Sequence, residues 1–156
     1  MFIRIRIIDI FDRLAEVEQL AAELYTYFAM QFADNPGAHD LFETMSREEE
    51  GHRDQVLRQQ ITLARTFSAG DYVEVDLSGV DQVANAMLLQ MRKSAPSLKE
   101  AVDFAIWMES TGMESAYRMA AAKYTPEVTI LASEISADDN RHLQQLKTFQ
   151  ATLSTQ

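Results

Sequence analysis

One pattern of three polar residues occurs twice in this chain of 156 residues. Each copy consists of a glutamate, a second acidic residue further along the chain, and a histidine three positions after that acid. The copies are Glu18, Glu49 and His52, followed by Glu109, Asp139 and His142. The second copy lies 91, 90 and 90 residues after the first (109 − 18, 139 − 49, 142 − 52). Four carboxylates and two imidazoles on helices are the ligand set of a two-metal site inside a four-helix bundle. The pattern therefore predicts both a fold and a chemistry.

The hydrophobic periodicity of the first half predicts two long helices on either side of a tight turn. Asn-Pro-Gly at residues 35–37 is a strong break. Before it, apolar residues recur at three- and four-residue spacing, which predicts a helix from about residue 8 to 33. After it, the same spacing predicts a second helix that ends near residue 66.

A long connection follows this first pair of helices. Residues 72–77 alternate between polar and apolar side chains like a short strand. No partner strand is evident in the sequence, so we interpret this segment as an extended crossover. A short helix is predicted over residues 79–92, before a break at Ser-Ala-Pro.

Two further long helices complete the predicted order. A Ser-x-x-Glu capping box at residues 97–100 begins a third helix, which is predicted to run to about Lys123. Thr-Pro at 125–126 begins a fourth helix, which runs to about Thr152. Two helical hairpins joined by a long crossover predict an all-α fold, a ferritin-like antiparallel four-helix bundle with a short extra helix in the crossover.

The acidic residues of the repeated pattern are predicted to lie at one level of this bundle. Glu18 precedes the first turn by about 15 residues and Glu49 follows it by about 13, which is roughly 22 Å and 20 Å of helical rise. Glu109 and Asp139 are related in the same way across the second turn. Each acid lies in a mostly apolar stripe, although the residues three and four positions from Glu49 are a mixed set. An unpaired buried carboxylate is costly.

These arguments predict a buried metal site. Its ligands are predicted to be Glu18, Glu49, His52, Glu109, Asp139 and His142. Oxygen and nitrogen donors without thiolate favour iron, or manganese, over structural zinc. The competing interpretation is a plain helical bundle in which these residues form solvated charge pairs.

The composition limits the possible partners. The formal net charge of −10 argues against binding to nucleic acid or an anionic membrane surface, because both require clusters of Lys and Arg. The absence of cysteine excludes disulfides, thiolate metal sites and cysteine nucleophiles. Neither a signal peptide nor an apolar run of membrane-spanning length is evident. We expect a single cytoplasmic domain over residues 1–156, without nucleic-acid or membrane partners, that forms a homodimer.

Several segments resemble the rubrerythrin family. Glu18 with YTYFA at 25–29 resembles the first helix of these proteins, and EEEGH at 48–52 resembles their second-helix motif. SLKEA at 97–101, leading to AIWME at 105–109, is similar to the third helix of small members that lack a rubredoxin domain. DDNRHL at 138–143 is similar to the fourth-helix motif. The resemblance extends over nearly the whole chain.

The resemblance implies a ferritin-like bundle that holds two iron ions and reacts with hydrogen peroxide or dioxygen. Three departures stand out. Asp139 occupies a position where glutamate is expected, and Gly112 a position where an extra third-helix glutamate is usual. No cysteine follows the bundle, so the iron–cysteine centre of full-length rubrerythrins is missing and an external electron donor is required.

The leading hypothesis is therefore a non-haem di-iron oxidoreductase. By pseudo-symmetry, Glu49 and Asp139 are expected to bridge the metals, with Glu18 and Glu109 as terminal ligands, and these four carboxylates are the predicted catalytic residues. The alternatives are a ferroxidase-type protein for iron storage or handling, resembling ferritin or bacterioferritin, and a helical interaction module with a vestigial site. The neighbouring acid Asp138 is expected to face solvent or a helix boundary, whereas Glu48 and Glu114 are possible supporting residues around the ligands.

Overall fold

The computed structural model describes residues 2–65, 71–93, 95–111 and 126–153, with the side chains of 126–128 and 131–132 outside that description. Two short strands and five helices occur within these ranges. In chain order they are β1 (Phe2–Arg6), α1 (Ile7–Gln31), α2 (Pro36–Ala64), β2 (Tyr72–Asp76), α3 (Ser78–Arg92), α4 (Leu98–Ser110) and α5 (Pro126–Leu153). The predicted all-α, ferritin-like four-helix bundle is confirmed.

The first helical hairpin forms where the sequence predicted it. The Asn35 side chain caps α2 by accepting a hydrogen bond from the Ala38 amide, and Pro36 occupies the first helical turn, where its missing N–H costs nothing. A four-residue connection makes α1 and α2 antiparallel neighbours, and they pack along each other. The apolar stripe of α1 is buried in this contact, with Leu24, Tyr25 and Phe28 fully enclosed.

The second helical hairpin consists of α4 and α5, which also pack against each other. The predicted capping box is present, because Ser97 accepts from the Glu100 amide while the Glu100 carboxylate accepts from the Ser97 amide. The described part of α4 ends at Ser110. The predicted continuation to Lys123 and the predicted cap at Thr125 lie outside the described residues.

A two-stranded antiparallel sheet corrects one prediction. β1 pairs with β2 along their whole length, beginning with Phe2 opposite Asp76. The interpretation of residues 72–77 as an unpaired crossover was therefore wrong. The sequence signal of β1 is easily missed, because its alternating apolar residues run directly into the helical periodicity of α1. Val73 and Val75 of β2 are buried, so the sheet attaches the crossover to the bundle core.

The remaining contacts close the bundle. α3 packs against α1, and α2 packs against α5. Val80, Val83 and Met87 form the buried face of α3, which confirms the predicted short helix in the crossover. Among the described segments, no helix combines the length and the apolar character needed to cross a membrane.

Candidate metal centre

Four helices bring the six predicted ligands together in the bundle interior. α1 contributes Glu18, α2 contributes Glu49 and His52, α4 contributes Glu109, and α5 contributes Asp139 and His142. Their donor atoms form two overlapping clusters, and within each cluster all donor atoms lie within 4.8 Å of one another. The first cluster is Glu18, Glu49 and His52; the second cluster is Glu49, Glu109, Asp139 and His142.

In the first cluster, one imidazole nitrogen faces two carboxylates. His52 Nδ1 lies 3.0 Å from Glu49 Oε2 and 4.0 Å from Glu18 Oε2. All three side chains are buried, with no more than 3% of any of them exposed. Burial at this level excludes solvent as the main source of charge compensation.

In the second cluster, the Nδ1 atom of the other imidazole also faces two carboxylates. His142 Nδ1 lies 3.0 Å from Glu49 Oε1 and 3.6 Å from Glu109 Oε1. His142 is fully buried, Glu109 is nearly so, and Asp139 is half-buried. The second cluster therefore holds one more carboxylate than the first and lies closer to the surface on its Asp139 side.

Glu49 is the member that both clusters share. One of its carboxylate oxygens faces His52 and the other faces His142, and the two imidazole rings are 6.0 Å apart. A carboxylate that presents one oxygen to each of two adjacent sites has the arrangement of a bridging ligand. Asp139, the other predicted bridge, takes part in the second cluster only.

The two histidines and Glu49 stabilise one another's charged forms. Burial opposes the ionisation of Glu49, but its close contacts with His142 and His52 outweigh this effect and lower the pKa of Glu49 to about 2. Burial likewise disfavours the imidazolium form of His52, but the hydrogen bond to Glu49 and the negative charge of Glu49 raise the pKa of His52 to about 9. Glu109 and Glu49 together raise the pKa of His142 to about 11 against the same effect of burial.

The pKa values of the other two carboxylates of the second cluster are raised, whereas the pKa of Glu49 is lowered. Burial, followed by the charges of Glu109 and Glu49, raises the pKa of Asp139 to about 8. Burial also raises the pKa of Glu109. The Tyr25 hydroxyl donates a hydrogen bond to Glu109 Oε1, and burial of the ring raises the pKa of Tyr25 well above its usual value. Tyr25 is thus a fixed, neutral donor to this carboxylate.

The arrangement fits a pair of bound cations. Within the described part of the chain, His142 Nδ1 is buried and makes no hydrogen bond with good geometry to another protein atom, although two carboxylate oxygens lie close by. In the protein alone, protons on the histidines and on Asp139 balance the buried negative charge. The same donor atoms could hold metal ions, which would take the place of those protons.

Comparison with known proteins agrees with this geometry. The model of the rubrerythrin family matches residues 9–150, a range that contains both clusters and most of each bundle helix. This chain belongs to the rubrerythrin family. No curated protein and no solved structure matches the chain. Membership of the rubrerythrin family implies a di-iron site, and among the described residues the two clusters offer donor atoms for one.

Two acidic residues surround the ligands of this rubrerythrin-family protein. Glu48 Oε2 lies 2.5 Å from His142 Nε2, and Asp138 Oδ2 lies 3.1 Å from His52 Nε2. Each acid therefore contacts the histidine of the other hairpin. Such contacts fix the ring orientation and leave Nδ1 as the nitrogen available to a metal.

The role of Asp138 differs from its prediction. The sequence indicated that Asp138 faces solvent or a helix boundary, but it is half-buried and contacts an imidazole. The signal was available: Glu48 and Asp138 each precede the acid of an acid-x-x-His pair, so the internal repeat extends by one residue. Glu48 contacts His142, which is the position expected of the supporting residue that the sequence suggested; Glu114 and Gly112 lie outside the described residues.

Proposed function

We propose that this protein is a non-haem di-iron oxidoreductase that reduces hydrogen peroxide or dioxygen with electrons from an external donor. The observation that carries the proposal is the position of Glu49, with one oxygen toward each buried imidazole. Membership of the rubrerythrin family supports iron as the metal. The absence of cysteine in the chain is the reason for assigning the electron donor to a separate molecule.

The proposed ligands divide into two sets that share Glu49. Glu18, Glu49 and His52 would hold one iron; Glu49, Glu109, Asp139 and His142 would hold the other. Iron held there would supply electrons to the oxidant and Lewis acidity toward its oxygen atoms. When ionised, the four carboxylates of the two clusters would balance the charge of two divalent cations.

The protein groups around the ligands control orientation and protons. The Tyr25 hydroxyl donates to Glu109 Oε1 and restrains that carboxylate from one side. Glu48 and Asp138 accept from the Nε2 atoms of the two histidines, so both rings present Nδ1 to the interior. Asp139 is half-buried, and in the metal-free protein its raised pKa of about 8 lets it hold a proton near neutral pH, which metal binding would displace.

The substrate is proposed from chemistry and from the family. Peroxide and dioxygen are small oxidants, and their reduction would need electrons from iron and protons from nearby groups. A ferroxidase role, in which ferrous iron is the substrate and is stored or passed on, uses the same ligands. The two functions differ in what is consumed: reducing equivalents and peroxide in the first, and ferrous iron in the second.

Iron content and turnover test this proposal together. Anaerobic loading of wild-type protein with ferrous iron is expected to give about two irons per chain by elemental analysis. The loaded protein is expected to consume peroxide for as long as a small-molecule reductant is supplied. Glu49→Ala should abolish both. Glu50→Ala is the matched control, because Glu50 is an exposed acid at the next position of the same helix.

Different results would contradict the proposed metal site and the proposed reaction. Iron binding that Glu49→Ala leaves unchanged would refute the proposed site. Oxidation of many ferrous ions per chain without reductant, and without sustained peroxide turnover, would support the ferroxidase alternative instead. Failure to bind iron after loading would leave the helical interaction module as the remaining interpretation.

A further inference from the structure

One arginine on the surface of α5 contacts both of the acids that support the histidines. Arg141 Nη1 lies 2.7 Å from Asp138 Oδ1, and Arg141 Nη2 lies 3.0 Å from Glu48 Oε1. The two terminal nitrogens of one guanidinium thus bind carboxylates from two different helices. The planar, forked guanidinium is suited to this double contact, which the point charge of a lysine does not reproduce.

The same two acids use their other oxygens for the histidines. Asp138 Oδ2 lies 3.1 Å from His52 Nε2, and Glu48 Oε2 lies 2.5 Å from His142 Nε2. The result is a continuous chain of contacts from His52 through Asp138, Arg141 and Glu48 to His142. Both imidazoles, one from each helical hairpin, are therefore connected through a single guanidinium.

The internal repeat has only one such arginine. Residues 48–52 align with residues 138–142, and in this alignment Gly51 corresponds to Arg141. A side chain at Gly51 would have open space, because a Cβ atom at that position would meet no neighbouring group within 4 Å. Crowding around the Cβ position therefore does not explain why the first copy lacks a side chain there. Arg141 serves both halves of the site, while each acid serves one histidine.

We propose that Arg141 is a positioning residue that couples the two metal positions. It holds Glu48 and Asp138 in place, and through them it sets the orientation of both imidazoles. This inference rests on the proposed metal site. Substitution of a group that orients a metal-bound histidine typically weakens metal binding by about 10- to 100-fold. Half-exposed ion pairs, by contrast, contribute little to the stability of a fold.

The test compares metal binding with stability in matched variants. Arg141→Gln is expected to weaken both steps of anaerobic ferrous binding by about tenfold, while the thermal midpoint of the metal-free protein changes little. Arg141→Lys should recover only part of the loss. Arg47→Gln is the matched control, since Arg47 is an exposed arginine on α2 whose observed ion pair is with Glu43, and its binding should equal that of wild type.

A second measurement distinguishes positioning from a general effect of charge. Glu48→Gln and Asp138→Asn should each weaken one of the two binding steps more than the other, and Arg141→Gln should weaken both. In the background of both acid substitutions, Arg141→Gln should have no further effect, because its action passes through those carboxylates. The visible spectrum of the Co²⁺-loaded protein should change in Arg141→Gln and remain unchanged in Arg47→Gln.

The outcomes separate this inference from the proposed function. Wild-type protein that binds no iron would overturn the metal site and the inference with it. Wild-type binding of about two irons, together with unchanged affinities and spectrum in Arg141→Gln, would overturn the inference alone. A loss confined to one binding step, or a full additional loss in the background of both acid substitutions, would also overturn it.

Discussion

The two copies of the acid-x-x-His pair occupy equivalent positions but have different electrostatics. In α2, Glu49 extends between the two histidines, and their contacts lower its pKa to about 2. In α5, Asp139 reaches only the second cluster, and burial with neighbouring carboxylates raises its pKa to about 8. A sequence repeat therefore does not guarantee equal roles: a side chain shorter by one methylene leaves Asp139 on one side of the site.

The largest expected effect distinguishes these two acids directly. Glu49→Ala removes a carboxylate from both clusters, so both irons should be lost. Asp139→Ala removes a carboxylate from the second cluster only, so about one iron per chain should remain. Elemental analysis after anaerobic ferrous loading measures both. Equal iron contents in the two variants would show that the acids are equivalent after all.

The pH dependence of the metal-free protein tests the shifted pKa values. The pKa values of His52 and Asp139 in the fold, about 9 and about 8, lie above their ordinary values of 6.5 and 3.8. Groups with a raised folded pKa contribute stability at low pH and lose it as pH rises through that pKa. The lowered pKa of Glu49 does not make stability depend on pH above about pH 6, because Glu49 is ionised there in both the folded and the unfolded protein.

The free energy of unfolding of the metal-free protein should therefore fall between about pH 6 and pH 9, by on the order of a few kcal/mol. Chemical denaturation at several pH values provides the measurement. Metal binding should show the opposite trend and strengthen over this range, because bound metal replaces the protons. A stability that is constant or rises from pH 6 to pH 9 would contradict the assigned shifts.

Lengthening the shorter acid should reduce the difference between the two halves. Asp139→Glu adds the methylene that Asp139 lacks, so its carboxylate should reach further toward the first cluster. We expect the weaker of the two ferrous binding steps to strengthen by roughly tenfold, which is about 1.4 kcal/mol. Calorimetric titration under anaerobic conditions measures the two steps. Unchanged or weaker binding would indicate that side-chain length is not the cause of the asymmetry.

The last prediction concerns the stability of the metal-free fold and the tyrosine of the second cluster. Tyr25→Phe removes the hydroxyl that donates to Glu109 while keeping the ring that stacks on Phe42. A hydrogen bond to a charged group contributes about 1.5–3 kcal/mol, so the variant should be destabilised by about that amount. Tyr27→Phe is a suitable control, because Tyr27 lies at the edge of the core. Equal stabilities of the two variants would contradict the role assigned to Tyr25.

Most of the bundle follows from local sequence rules. The break at residues 35–37, the capping box that begins at Ser97 and the apolar stripes of the long helices predict the positions of α1, α2 and the start of α4. The partner of β2 was missed because strand pairing joins residues that are distant in sequence, and each strand alone has only five residues. Such short alternating segments carry too little periodicity to indicate their partner.

The candidate site was predicted less completely than the fold. Spacing alone brought the six ligands to one level, because helical rise makes the distances from each turn comparable. The sharing of Glu49 and the contacts of Asp138 and Arg141 depend on side-chain directions across two helices. Those directions come from tertiary packing and cannot be obtained from spacing along one helix.

The central claim is that two metals lie on either side of Glu49, and anomalous scattering from crystals of the iron-loaded protein tests it most directly. We expect two peaks at the iron edge, one near His52 Nδ1 and one near His142 Nδ1, with a Glu49 oxygen beside each. A single peak, or peaks away from Glu49, would contradict the claim.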